Sequence, residues 1–95
     1  KPTARSIYTE GSAGWENAEM LIWSNDWEAV RKLWEPYIND TDKELANRAI
    51  YNMAVYYEMQ GELEMAIKYA TICVNDYQNM KAYRYLKVLK NKDKS

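Results

Sequence analysis

Cys73 is the strongest nucleophile in this 95-residue sequence, yet nothing around it prepares it for chemistry. A catalytic thiol needs a neighbouring base or a depressed pKa. The chain has no histidine, which removes the commonest general base near neutral pH and the commonest metal ligand. A single cysteine closes no internal disulfide and builds no Cys-rich zinc site. Cys73 is therefore expected as a buried thiol inside a helix. Glu16 with Glu19, and Glu62 with Glu64, are spaced like carboxylate pairs that could serve glycoside hydrolysis. The same spacing is what solvated helix faces carry, so it establishes no site. The three glycines stand apart at Gly11, Gly14 and Gly61 and form no phosphate-cradling loop. The sequence is thus expected to hold no catalytic residue, no cofactor and no metal.

Aromatic residues are the other chemical resource, with four Trp, nine Tyr and no Phe. Every ring carries a polar handle, which suits half-buried surfaces and interfaces. Their positions depend on the helices that carry them.

The segment 48–70 reads as two amphipathic helices folded back on each other around Gly61. Leu45, Ala49, Ile50, Met53 and Tyr57 recur at three- and four-residue steps and share one stripe. Gly61 stands where the first helix must stop, since a left-handed residue costs glycine nothing. Asn25-x-x-Glu28 and Thr41-x-x-Glu44 have capping-box spacing, so a helix is expected to start at each. Pro36 ends or kinks the helix that begins near Asp26. A last helix over 79–90 carries Ala82, Tyr83, Leu86 and Leu89 on one side.

Ala54 seven before Gly61, Ala66 five after it, Tyr57, Leu63 and Ala70 together resemble a tetratricopeptide repeat, a unit of about 34 residues. The resemblance implies an all-α fold: antiparallel helix hairpins stacked as a short right-handed superhelix with a C-terminal capping helix. The single domain 1–95 would then divide into an extension (1–13), a degenerate repeat (14–40), a clear repeat (41–76), the capping helix (79–90) and a frayed tail (91–95). Sliding the chain back 36 positions brings Gly61 onto Asn25, Leu63 onto Trp27, Ala66 onto Val30, Ala54 onto Ala18, Tyr57 onto Leu21 and Ala70 onto Trp34. A shift of 37 pairs Ala66 with Ala29 instead, which leaves the register open by one residue.

In the 36-residue register Trp27 and Trp34 face the core, whereas Trp15 and Trp23 align with Tyr51 and Met59, positions that line the concave face in this repeat family. The partner-binding residues implied are Trp15, Glu19, Trp23, Tyr51, Asn52, Val55, Glu58 and Met59. The helix over 43–60 is apolar on two faces, so something is expected to cover the second: a bound segment, more of a parent chain, or residues 1–14 folding back with Ile7 and Tyr8. Asn52 also occupies an asparagine position of the carboxylate clamp that grips acidic chaperone tails. The clamp fails elsewhere, because Trp15 and Glu19 stand where its lysine and asparagine belong, and Glu19 and Glu58 repel a carboxylate.

The formal charge of −1 argues against a general nucleic-acid binder. Its distribution is uneven. Residues 10–44 carry nine acids against three bases, whereas residues 81–94 carry six bases against one acid. The basic end either complements the last helix dipole or docks on an acidic surface, such as another copy. No apolar run approaches the ~20 residues of a membrane span, so direct membrane insertion is not expected. The chain opens at Lys1 without methionine or a charged-then-apolar leader, as expected of a processed chain or a piece of a longer one.

Ala4-Arg5, Tyr8, Gly11, Trp15, Asp26-Trp27, Leu33-Trp34 and Ala49-x-Tyr51-Asn52-Met53-Ala54 together resemble the C-terminal helical region of Bacteroides-type envelope lipoproteins. That resemblance implies a periplasmic or outer-surface location. The function expected is a non-catalytic helical-repeat module that binds a peptide or protein segment, with glycan binding or a purely structural role in a larger lipoprotein as alternatives.

Overall fold

The computed structural model describes residues 7–94, and all of their regular secondary structure is helical, without strands. Ala4 and Arg5 of the lipoprotein-like pattern, and residues 1–6 of the N-terminal extension, lie outside the described residues. A 3-10 turn, Trp15–Asn17, leads into α1 (Ala18–Trp23) and α2 (Trp27–Trp34). A second 3-10 turn over Glu35–Tyr37 contains Pro36, which stops α2 where its missing amide hydrogen requires. Then follow α3 (Lys43–Met59), α4 (Leu63–Tyr77) and α5 (Met80–Asp93). Each helix packs chiefly on its sequence neighbours, giving a slab of 35 × 34 × 16 Å.

The α1/α2 and α3/α4 hairpins turn in the same way. At the first, the Ser24, Asn25 and Asp26 amides donate to the Met20, Ile22 and Leu21 carbonyls. At the second, 36 residues on, the Gln60, Gly61 and Glu62 amides donate to the Tyr56, Glu58 and Tyr57 carbonyls. Asn25 is left-handed at φ 61° and Gly61 at φ 80°. The next residues, Asp26 and Glu62, share one backbone geometry, φ −95° and ψ 72° against φ −96° and ψ 71°. The shift of 36 is therefore the structural register, and Asn25 fills the place of the turn glycine because asparagine tolerates this region best among residues with a Cβ. A Cβ on Gly61 would meet nothing within 4 Å, so its backbone angle alone selects glycine. The α4/α5 connection uses Gln78 in the same left-handed region, at φ 50°.

Both expected caps sit one residue later than their spacing indicated. The side chain of Asp26, not Asn25, accepts from the Ala29 amide, and that of Asp42, not Thr41, accepts from the Glu44 and Leu45 amides. A carboxylate beside each expected cap is also a strong acceptor and complements the helix dipole with full charge. Asn25 instead accepts from the Trp27 indole N–H at 2.6 Å.

Small residues set the spacing of the core. Ala49 and Ala54 on α3, and Ala66 and Ala70 on α4, are fully buried and let the two longest helices approach closely. Val30 and Trp34 fill the corresponding places on α2, with Ala18 and Ile22 on α1. Ala82, Tyr85, Leu86 and Leu89 dock α5. Trp27 packs against the core as expected but only half-buried, at its edge, lying edge-on to Tyr56 with ring centroids 6.1 Å apart. The helix expected over 79–90 runs on to Asp93, because Lys92 in its last turn reaches Glu58 of α3 at 2.7 Å.

Candidate functional site

Helical spacing on α3 places Arg48, Tyr51 and Asn52 on one side, at steps of three and four residues. The start of α5 faces them with Asn79 and Lys81. Between these helices runs a segment of the same chain, residues 7–10, which belongs to no helix or strand.

Asn52 is fully buried and spends its amide on that segment. Its Oδ1 accepts from the Tyr8 backbone N–H and its Nδ2 donates to the Tyr8 carbonyl, each at 2.8 Å. One side chain thereby supplies both bonds that a neighbouring strand would make to one residue. Two residues on, the Glu10 carbonyl accepts from Arg48 Nη1 at 2.7 Å.

The Tyr8 ring lies edge-on to Tyr51, centroids 5.3 Å apart at 76°. Lys81 Nζ lies 4.6 Å and Arg48 Cζ 5.5 Å from its centroid, both within cation–π range. Lys81 Nζ is also 5.2 Å from the Tyr51 centroid, and burial among these groups pushes its pKa down. The Tyr8 hydroxyl accepts from Asn79 Nδ2 at 3.3 Å. Asn79 is itself held by Asn47 Oδ1 and caps α5 through the Ala82 amide, both at 3.0 Å. Ile7 is buried in the core beside this recess.

Further along, Gly11 passes so close to Trp15 that a Cβ there would stand 2.7 Å from the indole. Trp15 is fully buried, donates its N–H to the Leu33 carbonyl at 2.8 Å and meets Tyr37 edge-on. The Ser12 hydroxyl donates to the Tyr37 oxygen at 2.9 Å.

The eight residues expected on a concave partner-binding face are divided by this arrangement. Trp15, Tyr51, Asn52 and Val55 are buried, covered by residues 7–12 or by the packed helices. Glu58 accepts from the Tyr85 hydroxyl and from Lys92 Nζ, both at 2.7 Å, so α5 neutralises the charge expected to stand at the face. Met59 is half-buried, whereas Glu19 and Trp23 are exposed, Trp23 at 58%. Of the three covers expected for this face, the described residues show the fold-back of the N-terminal segment, with Ile7 and Tyr8 filling the Tyr51–Asn52 end. Arg48, Asn79 and Lys81 were not among the expected site residues, whereas Ile7 and Tyr8 were expected only as a candidate cover, on the signal of two apolar residues in a polar stretch.

Cys73 is buried on α4, its thiol directed at the Asn47 carbonyl at 3.6 Å. Burial, reinforced by the Asp76 charge, pushes its pKa up to about 12. Among the described residues no group of three or more His, Cys, Asp or Glu converges as a metal site, and no helix is long and apolar enough to cross a membrane.

A sequence-family model described as a domain of unknown function, DUF6340, matches residues 16–91. No curated protein and no solved structure matches the chain.

Proposed function

We propose that this chain, which belongs to the DUF6340 family of domains of unknown function, is a non-catalytic, tetratricopeptide-like interaction module that holds an extended protein segment against α3. The observation that carries the reading is Asn52, whose amide is committed to the backbone of an extended residue. A contact of that kind recognises chain conformation before side-chain identity, which is what a peptide-binding groove requires. The 36-residue recurrence of the hairpin turn supports repeat stacking. Trp23 and Glu19 are exposed and Met59 is half-buried, so these three expected face residues remain accessible. The absence of histidine from the sequence and the raised pKa of Cys73 support a non-catalytic role.

A purely structural domain is the second reading, favoured by the burial of Trp15, Tyr51 and Val55. Selection of a displayed library of extended peptides on the full chain separates the two. Binding modules enrich ligands whose affinity falls on Trp23→Ala without loss of helicity. A structural domain enriches none.

A further inference from the structure

We propose that residues 7–10 act as a built-in pseudo-ligand, and that the recess between α3 and α5 is specific for an extended partner segment carrying an apolar residue followed by tyrosine. The proposal rests on the interaction-module reading and gives that reading its ligand chemistry. Each requirement on the partner follows from a group already in place.

Asn52 offers one acceptor and one donor to a single residue, so that residue must be extended and must keep its amide hydrogen, which excludes proline. The ring of that residue enters a recess walled by Tyr51, Arg48 and Lys81. Two cations near one ring favour an aromatic over an aliphatic side chain. Asn79 Nδ2 meets the hydroxyl, which favours tyrosine over phenylalanine. The preceding residue occupies the buried place of Ile7, and Arg48 holds the carbonyl two residues after the tyrosine.

Residues 7–10 are suited to exchange. They lie in no helix or sheet ladder, Tyr8 and Thr9 are only partly buried, and Glu10 is exposed. The receiving groups, by contrast, are fixed on helices that pack the core. When the segment leaves, the buried amide of Asn52 loses both partners, and a buried polar group left unmatched is costly. A replacement segment with the same backbone geometry removes that cost, whereas an apolar ligand does not.

The test uses the full chain and a fluorescent hexapeptide, Ile-Tyr-Thr-Glu-Gly-Ser, copying residues 7–12. An Ile7→Ala/Tyr8→Ala variant, whose own segment is weakened, is expected to bind the peptide at least ten times more tightly than the unmodified chain. N-methylation of the peptide's tyrosine nitrogen should weaken binding at least tenfold, and Asn52→Ala in the variant background should abolish it. Equal binding to both chains, no binding to a variant that retains its helicity, or indifference to N-methylation would each overturn the proposal.

If the variant loses its fold, amide exchange in the unmodified chain decides. Excess hexapeptide should accelerate exchange at Tyr8, and unchanged protection counts against displacement. Light scattering across a concentration series covers the remaining occupant: a dimer formed by swapping residues 7–10 would replace the partner with a second copy and overturn the proposal. Library-selected peptides that bind without competing with the hexapeptide would overturn it too, while leaving the interaction-module reading standing.

Discussion

Asn52 holds Tyr8 by both of its backbone polar groups across 44 residues of sequence, with Oδ1 and Nδ2 each 2.8 Å from their partners. The pair works like one rung of a sheet in a protein whose described residues include no strand. It ties the N-terminal segment to the middle of the longest helix, where Asn52 has no access to water.

Asn52→Ala is expected to lower stability by about 2–4 kcal/mol, combining two lost bonds with a small cavity. Urea denaturation measures the loss. Exchange at the Tyr8 amide should accelerate beyond what the global change explains, because that hydrogen has Asn52 as its acceptor.

The left-handed turns make opposite predictions from one backbone argument. Gly61→Ala should cost about 1 kcal/mol although its Cβ meets nothing, since the penalty lies in φ alone. Gln78→Gly should raise stability, with an upper limit of about 1 kcal/mol, by relieving the same conformation. Thermal midpoints moving in the same direction for both variants would refute this account.

Two buried indoles should respond differently to loss of their N–H. Trp15 donates to the Leu33 carbonyl, whereas Trp34 Nε1 is buried without a hydrogen-bond partner among the described residues. Both Phe substitutions lose ring volume, but only Trp15→Phe also leaves a carbonyl unmatched. Trp15→Phe should therefore be the more destabilising by about 1–2 kcal/mol in denaturant melts.

Cys73 gives the chain an alkaline limit. Its folded pKa of about 12 lies above the ordinary thiol value of 9.0, so the unfolded chain releases its proton first as pH rises. The stabilisation is complete below pH 9 and is lost progressively toward pH 12, at a slope of at most about 1.4 kcal/mol per pH unit. Comparing Cys73→Ala with the unmodified chain between pH 8 and 11 isolates this from tyrosine ionisation; parallel profiles would rule it out. At neutral pH a disulfide reagent should label Cys73 only after denaturant is added.

Helix order and the hairpin at Gly61 were legible because they rest on local signals: a turn glycine, three- and four-residue periodicity, and alanines at close contacts. The 36-residue recurrence was readable too, with Asn25 standing in for glycine. The caps slipped by one because Asn25-Asp26 and Thr41-Asp42 each place two capable residues side by side, and only the backbone selects between them. Accessibility was harder to read. Tyr51 and Val55 carry no mark that separates a groove from a buried seam, and what covers Tyr51 depends on residues from Tyr8 to Lys81. The neutralisation of Glu58 likewise required Tyr85 and Lys92, a full helix hairpin away.

The geometry of the Tyr8 recess also imposes an order on biosynthesis. Tyr8 leaves the ribosome 44 residues before Asn52 and 71 before Asn79, the residue that meets its hydroxyl. The two helical hairpins can close from neighbouring sequence as they emerge, but the hydroxyl of Tyr8 must wait for the start of the last helix. The Tyr8 backbone can thus pair with Asn52 once α3 has formed, whereas its ring completes its surroundings only after Asn79 and Lys81 have been made.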